Sequence, residues 1–572
     1  MTPFGMLRKT TSGKHETGLF APVKTKGEPL VWLTGMGLAL GILMIVALLA
    51  VIVINGVLAF WPKRFVAIAL EEGSKAAIRG SAAIGGEIAK RQMKRVFAVD
   101  EAGNPDVRFE PEIQLHLGNR EAFGFSFVFI DEADIKEKTF PMDVIRMERT
   151  DYGPAFGIPR SLATGDRVIP AESDEFGKAF DEAIARAAER RARIRHLEKD
   201  EIGRLNFELD RIAIAERRIR RAGGDPSAES PELSKQRAEL EAQYQVFATE
   251  AKALRDEQES LDIMTYTIQT GEERSVPAGR LLEYYYPNRL GWAERAGLFL
   301  RRVALFLTDE PRQANMEGGI FPAIFGTAVM TLLLSLIVTP FGVIAAIYLR
   351  EYAKQGPLVR SVRIAINNLA GVPSIVFGVF GLGFFVLMVG GGIDAVFFSD
   401  RLPTPTYKTG GILWCSLTLA LMTVPVVIVA TEESLAAVPR GSREGSLACG
   451  ASQWQTIQRI VLPASAPGIL TGLILAMARG AGEVAPLMLI GVVKLAPALP
   501  VDGFAPFLHL DRKFMHLGFH IFDLGFQSQD SDAARPMVFA TTLFLILLVV
   551  LLNVFAITIR ERLRKKYSTG AF

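Results

Sequence analysis

Six long apolar runs alternate with polar segments along the chain. The first, residues 29–62, contains no charged residue. Five more lie at about residues 320–349, 374–391, 410–430, 466–493 and 537–558. Each has roughly the ~20 residues that a helix needs to cross a hydrocarbon core of about 30 Å. We therefore expect six transmembrane helices, the first being a retained signal anchor because its run is too long for the apolar part of a signal peptide.

The polar block between the first and second runs, residues 63–318, begins and ends with short stretches that predict strands. The predicted strands are Phe65–Leu70, Val107–Phe109, Ile113–Leu117, Phe125–Ile130, Val144–Met147, Leu261–Gln269 and Leu281–Tyr285. Residues 290–307 mix Arg with large apolar side chains, which predicts an amphipathic helix on the membrane surface. The block is therefore expected to be an α+β domain.

Two charged helices are predicted inside this domain, from about Asp174 to Ala222 and from the break at Gly223–Pro226 to about Leu261. Apolar residues recur in both helices at steps of three and four: Ile202, Leu205, Leu209, Ile212 and Ile219 in the first, and Leu240, Tyr244, Phe247, Ala251, Leu254 and Leu261 in the second. This spacing, with a tight break between the helices, predicts an antiparallel coiled-coil hairpin.

Lysine and arginine in the short flanking segments predict the orientation in the membrane. They concentrate in the N-terminal tail, after the second run, in the loop after the fourth run and in the C-terminal tail. With six helices, all four segments lie on one side, which the positive-inside rule identifies as the cytoplasm. The block 63–318 then lies outside the cytoplasm, since long domains translocate regardless of their charge.

Composition and motifs exclude several classes of function. The net charge of +3 is too small to argue for a nucleic-acid partner. Cys415 and Cys449 fall on opposite sides of the membrane in this topology, so no disulfide, metal cluster or cofactor is expected. His509, His516 and His520 are interleaved with large apolar residues, which predicts a helix on the outer membrane face rather than a metal site. Because no Gly-x-x-x-x-Gly-Lys-Ser/Thr loop occurs, the chain itself is not expected to hydrolyse ATP.

A short helix is predicted in the loop between the fourth and fifth runs, with a glycine that ends it and a proline that closes the segment. The loop carries small, acidic and apolar residues at fixed spacing: Glu444, Gly445, Ser446, Gly450, Ile460, Leu462 and Pro463. This spacing resembles the EAA loop of bacterial ABC importer permeases, with Gly-Ser in place of Ala-Ala. The resemblance implies that the loop helix docks in a groove of a separate ATPase subunit.

The fifth run carries two charges at membrane depth, Arg479 and Glu483. Residues four apart share one helix face, and charges at this depth face a cavity or a partner. Gly480 and Gly482 would let another backbone approach closely. The pair suits an oxyanion that still carries a proton, because Arg grips two oxygens while the carboxylate accepts a hydrogen bond from P–OH. The alternative is an internal ion pair that locks the helix, and the two interpretations are compatible.

The third run begins at Gly371-Val372-Pro373-Ser374. This segment is either a proline at the first turn of a helix with a serine nearby, or a broken-helix entrance whose free N–H groups face an anion. Both interpretations stay open, and Ser374 is a candidate residue of the translocation path.

Three motifs in order resemble the PstA-type permeases of bacterial phosphate importers: Ala345–Tyr352, Gly371–Gly378 and Arg479–Leu487. The resemblance covers about residues 318–560. It implies a type I ABC importer fold in the bacterial inner membrane, with a PstC-like sister permease, a PstB-like ATPase dimer and a PstS-like periplasmic phosphate-binding protein. The long N-terminal tail and the extracytoplasmic insertion depart from a minimal member, and the resemblance supplies no role for the insertion.

We therefore expect a mostly α, six-span membrane protein with a type I ABC importer transmembrane domain, plus an α+β extracytoplasmic domain with a coiled-coil hairpin between spans 1 and 2. The expected segments are a cytoplasmic tail 1–28, the first transmembrane helix 29–62, the extracytoplasmic domain 63–318, the permease core 319–560 with a coupling loop at about 431–465, and a cytoplasmic tail 561–572. The expected function is phosphate import by alternating access, coupled to a separate ATPase. A same-fold permease for sulfate, molybdate or phosphonate is one alternative, and a membrane sensor that uses the extracytoplasmic domain is another.

Overall fold

The computed structural model of the chain describes residues 29–78, 81, 83–99 and 105–568. The chain divides into two compact units, residues 1–54 and 55–572. The described part of the first unit is residues 29–54 of helix α1 (Pro29–Leu58). The last four residues of α1 belong to the second unit. The expected cytoplasmic tails lie largely outside the described residues.

Two antiparallel sheets form the β part of the domain that follows α1. The first has the strand order β4-β3-β2-β1-β5, and the second has the order β10-β9-β7-β6-β11 with β8 paired to β7. The strands are β1 (Phe65–Leu70), β2 (Ala83–Val99), β3 (Pro105–His116), β4 (Phe127–Asp131), β5 (Ile135–Thr139), β6 (Ile145–Arg149), β7 (Ala155–Thr164), β8 (Arg167–Pro170), β9 (Ile263–Thr267), β10 (Glu273–Pro277) and β11 (Leu281–Tyr285).

The sequence predicted β1 and β11 to the residue but missed β2, the longest strand. The outer half of β2 pairs only with β3, for example Arg95 with Phe109, and both faces of this ribbon are solvated. A strand with two solvated faces does not alternate apolar and polar residues, which is the pattern that identifies a strand in a sequence.

A buried ion network joins the two sheets. The guanidinium of Arg146 on β6 lies 3.3 Å from Glu87 on β2 and 2.7 Å from Glu148, and it donates a 2.5 Å hydrogen bond to the hydroxyl of Tyr285. Burial alone would raise the pKa of the Glu148 carboxyl, but Arg146 and Arg302 hold it below its usual value. Removing one partner would leave an uncompensated buried charge, so the network fixes how the sheets pack.

Five helices complete the domain before the amphipathic segment: α2 (Arg120–Phe123), α3 (Phe176–Arg195), α4 (Ile202–Arg221), α5 (Pro226–Glu229) and α6 (Pro231–Ser260). A π-helical segment, His196–Glu201, joins α3 to α4. Helices α4 and α6 contact each other, and Leu205, Ile212 and Ala251 are buried, as the spacing predicted. The helical hairpin is therefore present, while supercoiling of its helices stays a prediction.

The far end of this hairpin contacts loops of the membrane region. Arg218 donates a 2.9 Å hydrogen bond to Asp400, in the loop after the third span. The ring of Phe207 stacks on Phe504, before the last span, at 5.3 Å between centroids. The hairpin thus contacts the loops after the third span and before the last span of its own chain.

From residue 292 onward the fold is helical apart from one two-stranded sheet of very short strands. The helices are α7 (Trp292–Thr308), α8 (Phe321–Ile347), α9 (Pro357–Leu369), α10 (Ser374–Phe380), α11 (Gly391–Phe397), α12 (Ile412–Ala437), α13 (Arg440–Ala448), α14 (Gln453–Thr456), α15 (Leu462–Gly482), α16 (Ala485–Ile490), α17 (Leu517–Phe522) and α18 (Ser531–Ser568). Helix α12 is central, because it packs against both α8 and α15. Small residues allow this packing: a Cβ on Gly472 of α15 would lie 2.6 Å from the Cβ of Ala430 on α12.

Six helical segments of the described residues are long and apolar enough to cross a membrane: Trp32–Leu58, Phe321–Tyr352, Ser374–Phe397, Ile412–Ala437, Gln453–Gly482 and Ser531–Lys565. Their number and order agree with the six predicted runs. The fifth differs, because its helix ends at Gly482 inside the run predicted at 466–493.

The prediction of a histidine-bearing helix on the outer membrane face is wrong. Helix α17 continues as a π-helical segment, Asp523–Gln527, and the side chains of His516 and His520 are buried. The backbone N–H of Leu517 donates a 2.9 Å hydrogen bond to the Thr327 hydroxyl of α8. The apolar residues between the histidines therefore face the helix bundle. Within the described residues, no group of three or more potential metal ligands lies close together.

Candidate functional site

The fifth span is interrupted at the charged pair. Helix α15 ends at Gly482, and Glu483 is extended, with φ −77° and ψ 136°. A second short helix, α16, begins two residues later and continues to Ile490. Because Glu483 lies outside the helix, the expectation that Arg479 and Glu483 share one helix face is wrong. An interrupted helix leaves polar backbone groups free, which a membrane protein tolerates only where protein or a water-filled cavity surrounds them.

Arg479 and Glu483 nevertheless face each other across the break. The Arg479 Nε lies 3.6 Å from the Glu483 Oε1, which is too long for a good hydrogen bond. Their side chains are 35% and 22% exposed, so both border open space. Among the described residues, neither side chain makes a hydrogen bond. The guanidinium N–H groups and the carboxylate oxygens are therefore available to a third group.

The break lies inside the helix bundle rather than at its rim. A Cβ on Gly480 would meet the Leu334 side chain of α8 at 2.3 Å. On the other side, a Cβ on Gly378 of α10 would meet the Cα of Pro486, in α16, at 2.7 Å. The expectation that another backbone approaches the two glycines is not met among the described residues, because the neighbour of Gly480 is a side chain and nothing described lies within 4 Å of a Cβ on Gly482.

Ser374 is the first residue of α10, the helix that packs on α16. Pro373 precedes it as the N-cap, with extended ψ of 135°, so the proline lies just outside the helix. The structure therefore brings the helix of Ser374 beside the break, although it records no direct contact between Ser374 and the charged pair. Its role in the path stays a prediction.

The loop after the fourth span contains the predicted helix, α13, which has no buried residue. Gly450 adopts φ +85°, and its N–H donates to the Leu447 carbonyl at 2.9 Å while the N–H of Ala451 donates to the Ser446 carbonyl at 3.2 Å. This pair of bonds is a Schellman motif, which requires a left-handed residue at the position of Gly450. Glu444, Gly445 and Leu447 are exposed, so α13 presents a free surface.

Arg443 ties this loop to the membrane helices. Its guanidinium donates to the Glu351 carboxylate at 2.7 Å and to the Leu435 carbonyl of α12 at 2.5 Å. Gln453 donates to the Glu351 carbonyl at 2.8 Å. Displacement of α13 would therefore pull on the ends of the second and fourth spans. Neither Arg443 nor Glu351 was among the predicted site residues, although Glu351 lies within the first of the three motifs, Ala345–Tyr352.

Ile460, Leu462 and Pro463, the apolar end of the loop motif, lie outside α13, the helix that contains Glu444. Ile460 lies in a π-helical segment, Ile457–Val461, and Leu462 begins α15 and packs on a buried cluster that includes Leu435. Pro463 does not close the segment, because the chain stays helical from Gln453 to Gly482. The π turn just before the proline widens the helix, which accommodates the residue that lacks an N–H.

Comparison with known proteins gives a consistent family. Residues 338–568 match the family described as "Binding-protein-dependent transport system inner membrane component". The "Probable ABC transporter permease protein YqgI" of Bacillus subtilis is 31% identical over 233 residues, which are 40% of this chain and 73% of that protein. The "Phosphate transport system permease protein PstA" of Yersinia pestis is 37% identical over 187 residues, which are 32% of this chain and 57% of that protein.

Other relatives are also matched over only part of their length. The chain spans 61% of the "Probable ABC transporter permease protein YqgH" of Bacillus subtilis and about half of the mycobacterial PstA proteins. Among solved structures, the inward-facing MetNI methionine ABC transporter is 18% identical over 43% of this chain and 94% of that chain, with a TM-score of 0.30.

Proposed function

The chain belongs to the family of binding-protein-dependent transport system inner membrane components, and we propose that it is the transmembrane permease subunit of an ATP-driven importer of inorganic phosphate. The observation that supports phosphate as the substrate is the pair of Arg479 and Glu483 at the break in the fifth span. Relatives named as phosphate transport permeases support the same substrate.

The chemistry of the pair fits a phosphate that still carries a proton. A guanidinium offers two parallel N–H donors to the phosphate oxygens, and a carboxylate accepts a hydrogen bond from P–OH. Sulfate at neutral pH has no proton to donate, so Glu483 would repel it. Sulfate and molybdate are therefore disfavoured, and so is any substrate that is fully ionised.

Transport proceeds by alternating access in this proposal, with ATP hydrolysis on another subunit. Closure of a PstB-like ATPase dimer moves α13, and Arg443 transmits the movement to the ends of the second and fourth spans. The path past Arg479 then opens outward and receives phosphate from a PstS-like binding protein. A PstC-like sister permease completes the path, and it covers the open side of the charged pair. By the positive-inside rule both termini lie in the cytoplasm.

The test is ATP-dependent uptake by the complete complex in proteoliposomes. Arg479→Gln is expected to abolish phosphate uptake, because a neutral amide cannot replace the charged fork at a dehydrated anion site. Arg535→Gln is the matched control, since Arg535 is an exposed arginine of the same region that lies outside the break. The proposal would be contradicted if the Arg479→Gln variant took up phosphate at the wild-type rate at low external phosphate. It would also be contradicted if the wild-type complex took up sulfate as fast as phosphate.

A further inference from the structure

The residues around the end of the first candidate span form an apolar cluster that includes neither the charged pair nor the loop helix. Helix α1 ends at Leu58, which is also the last residue of the first apolar span. The ring of Phe60 lies 4.9 Å from Phe306 of α7 and 6.3 Å from Phe544 of α18, measured between centroids. Helix α7 therefore packs beside the point where the chain leaves the first candidate span.

A cleft of about 300 Å³ opens at this corner. It is lined by Trp61, Pro62, Lys63, Arg64, Val66, Ile88, Phe140 and Arg295. Three of these residues are cations and none carries a carboxylate. The volume equals roughly ten water molecules at about 30 Å³ each, which is ample for a phosphate diester. The lining thus favours an anion.

Arg295, one of the three cations of the cleft, is held in place without being neutralised. The Arg295 guanidinium donates to the backbone carbonyls of Pro287 at 2.8 Å and of Leu290 at 3.2 Å, which fixes its direction but leaves its charge. Among the described residues Lys63 forms no ion pair. Burial, assisted by the charge of Arg146, lowers the pKa of the Lys63 ammonium below its usual value, although Glu87 acts in the opposite direction. An anion in the cleft would stabilise the ammonium.

Exposed apolar residues lie close in sequence to the residues that line the cleft, at the end of the first candidate span. Val57 and Leu58, in the last turn of α1, are 40% and 52% exposed. Trp292 and Leu300 of α7 are also exposed, and Trp61 lines the cleft itself. Tryptophan at the end of a span is typical of the membrane–water interface. A molecule that fills the site should therefore carry an anionic group next to hydrocarbon.

We propose that the cleft binds the phosphate headgroup of an anionic phospholipid, with the acyl chains lying along Val57 and Leu58. Lys63, Arg64 and Arg295 surround the phosphate, and Trp61 and Phe140 border it. Inorganic phosphate shares the anionic chemistry, but it would gain nothing from the exposed apolar residues below the cleft. The bound lipid would join the end of the first span to the domain that follows it.

Native mass spectrometry of the complete complex in detergent tests this proposal. The complex is titrated with phosphatidylglycerol, and separately with phosphatidylcholine as the zwitterionic lipid. One basic residue near an anionic headgroup contributes roughly fivefold to binding. We expect Arg64→Gln to weaken phosphatidylglycerol binding about fivefold and Lys63→Gln with Arg64→Gln about 25-fold. Lys75→Gln with Lys136→Gln, two exposed lysines of the same domain outside the cleft, should leave binding unchanged.

Three outcomes would overturn the proposal. Equal binding of phosphatidylcholine would exclude recognition of an anionic headgroup. Displacement of the lipid by millimolar inorganic phosphate would identify a site for the free ion. Unchanged lipid binding in Arg64→Gln and in the double variant would exclude the cleft. Because Arg64 is exposed, its single variant tests the site even if replacement of the half-buried Lys63 destabilises the domain.

Discussion

Gly450 provides the sharpest test of how the loop helix couples to the ATPase. Its φ of +85° lets the N–H groups of Gly450 and Ala451 cap α13. A Cβ at this position would meet no described atom within 4 Å, so the first atom of a side chain is not crowded inside this chain. A residue with a Cβ is instead strained by about 1–2 kcal/mol in the left-handed region, whereas Asn tolerates it better. Such a change lowers the population of the capped conformation roughly fivefold to thirtyfold.

The assay measures phosphate uptake and ATP hydrolysis by the complete complex in proteoliposomes. The ratio of phosphate imported to ATP hydrolysed should stay near the wild-type value in Gly450→Asn. It should fall severalfold in Gly450→Ala and furthest in Gly450→Val, whose branched side chain is the least compatible with positive φ. Gly177→Ala is the control, because that helical glycine also has open space and an ordinary φ.

Two results would refute this reasoning in different ways. A wild-type ratio in Gly450→Ala and Gly450→Val would mean that coupling does not need the capped conformation. A ratio in Gly450→Asn as low as in Gly450→Val would mean that any side chain blocks docking, and that contact with the partner rather than backbone strain controls coupling.

Three further predictions concern the charged pair, the loop helix α13 and the hairpin. Glu483→Gln should raise sulfate inhibition of phosphate uptake more than it lowers uptake itself, and an unchanged sulfate inhibition constant would exclude Glu483 as the selective group. Glu444→Lys should lower uptake while membrane insertion is retained, because it reverses a charge on the exposed docking surface; full uptake would argue against that surface. Arg218→Glu should increase hydrogen exchange in the loop around Asp400 by up to about fivefold, as expected for an exposed ion pair worth about 0–1 kcal/mol. Asp400→Asn removes the ion pairs of Asp400 with both Arg218 and Arg221 and should increase exchange at least as much; unchanged exchange in both variants would indicate that these ion pairs do not hold the hairpin.

The sequence alone determined the features that depend on local pattern. Each membrane span is a run of apolar residues long enough to satisfy its own backbone hydrogen bonds, so the number and order of the spans follow from composition. The helical hairpin follows from the spacing of its apolar residues, and the end of α13 follows from Gly450. These signals need no information about distant parts of the chain.

Tertiary structure alone decided where the fifth span breaks. Residues 466–493 are apolar enough to be one helix, and Pro486, which lacks the N–H that would bond to Gly482, is compatible with either a kink or a complete break. The structure shows a complete break at Glu483, where α16 packs on α10 with Pro486 against Gly378. The ion network of Arg146 and the contact of Arg218 with Asp400 likewise join residues more than fifty positions apart in the chain. Such contacts depend on which surfaces meet after the helices and strands have formed. The periodicity of the sequence does not predict these long-range contacts, because the local pattern around each residue is the same whether or not the contact forms.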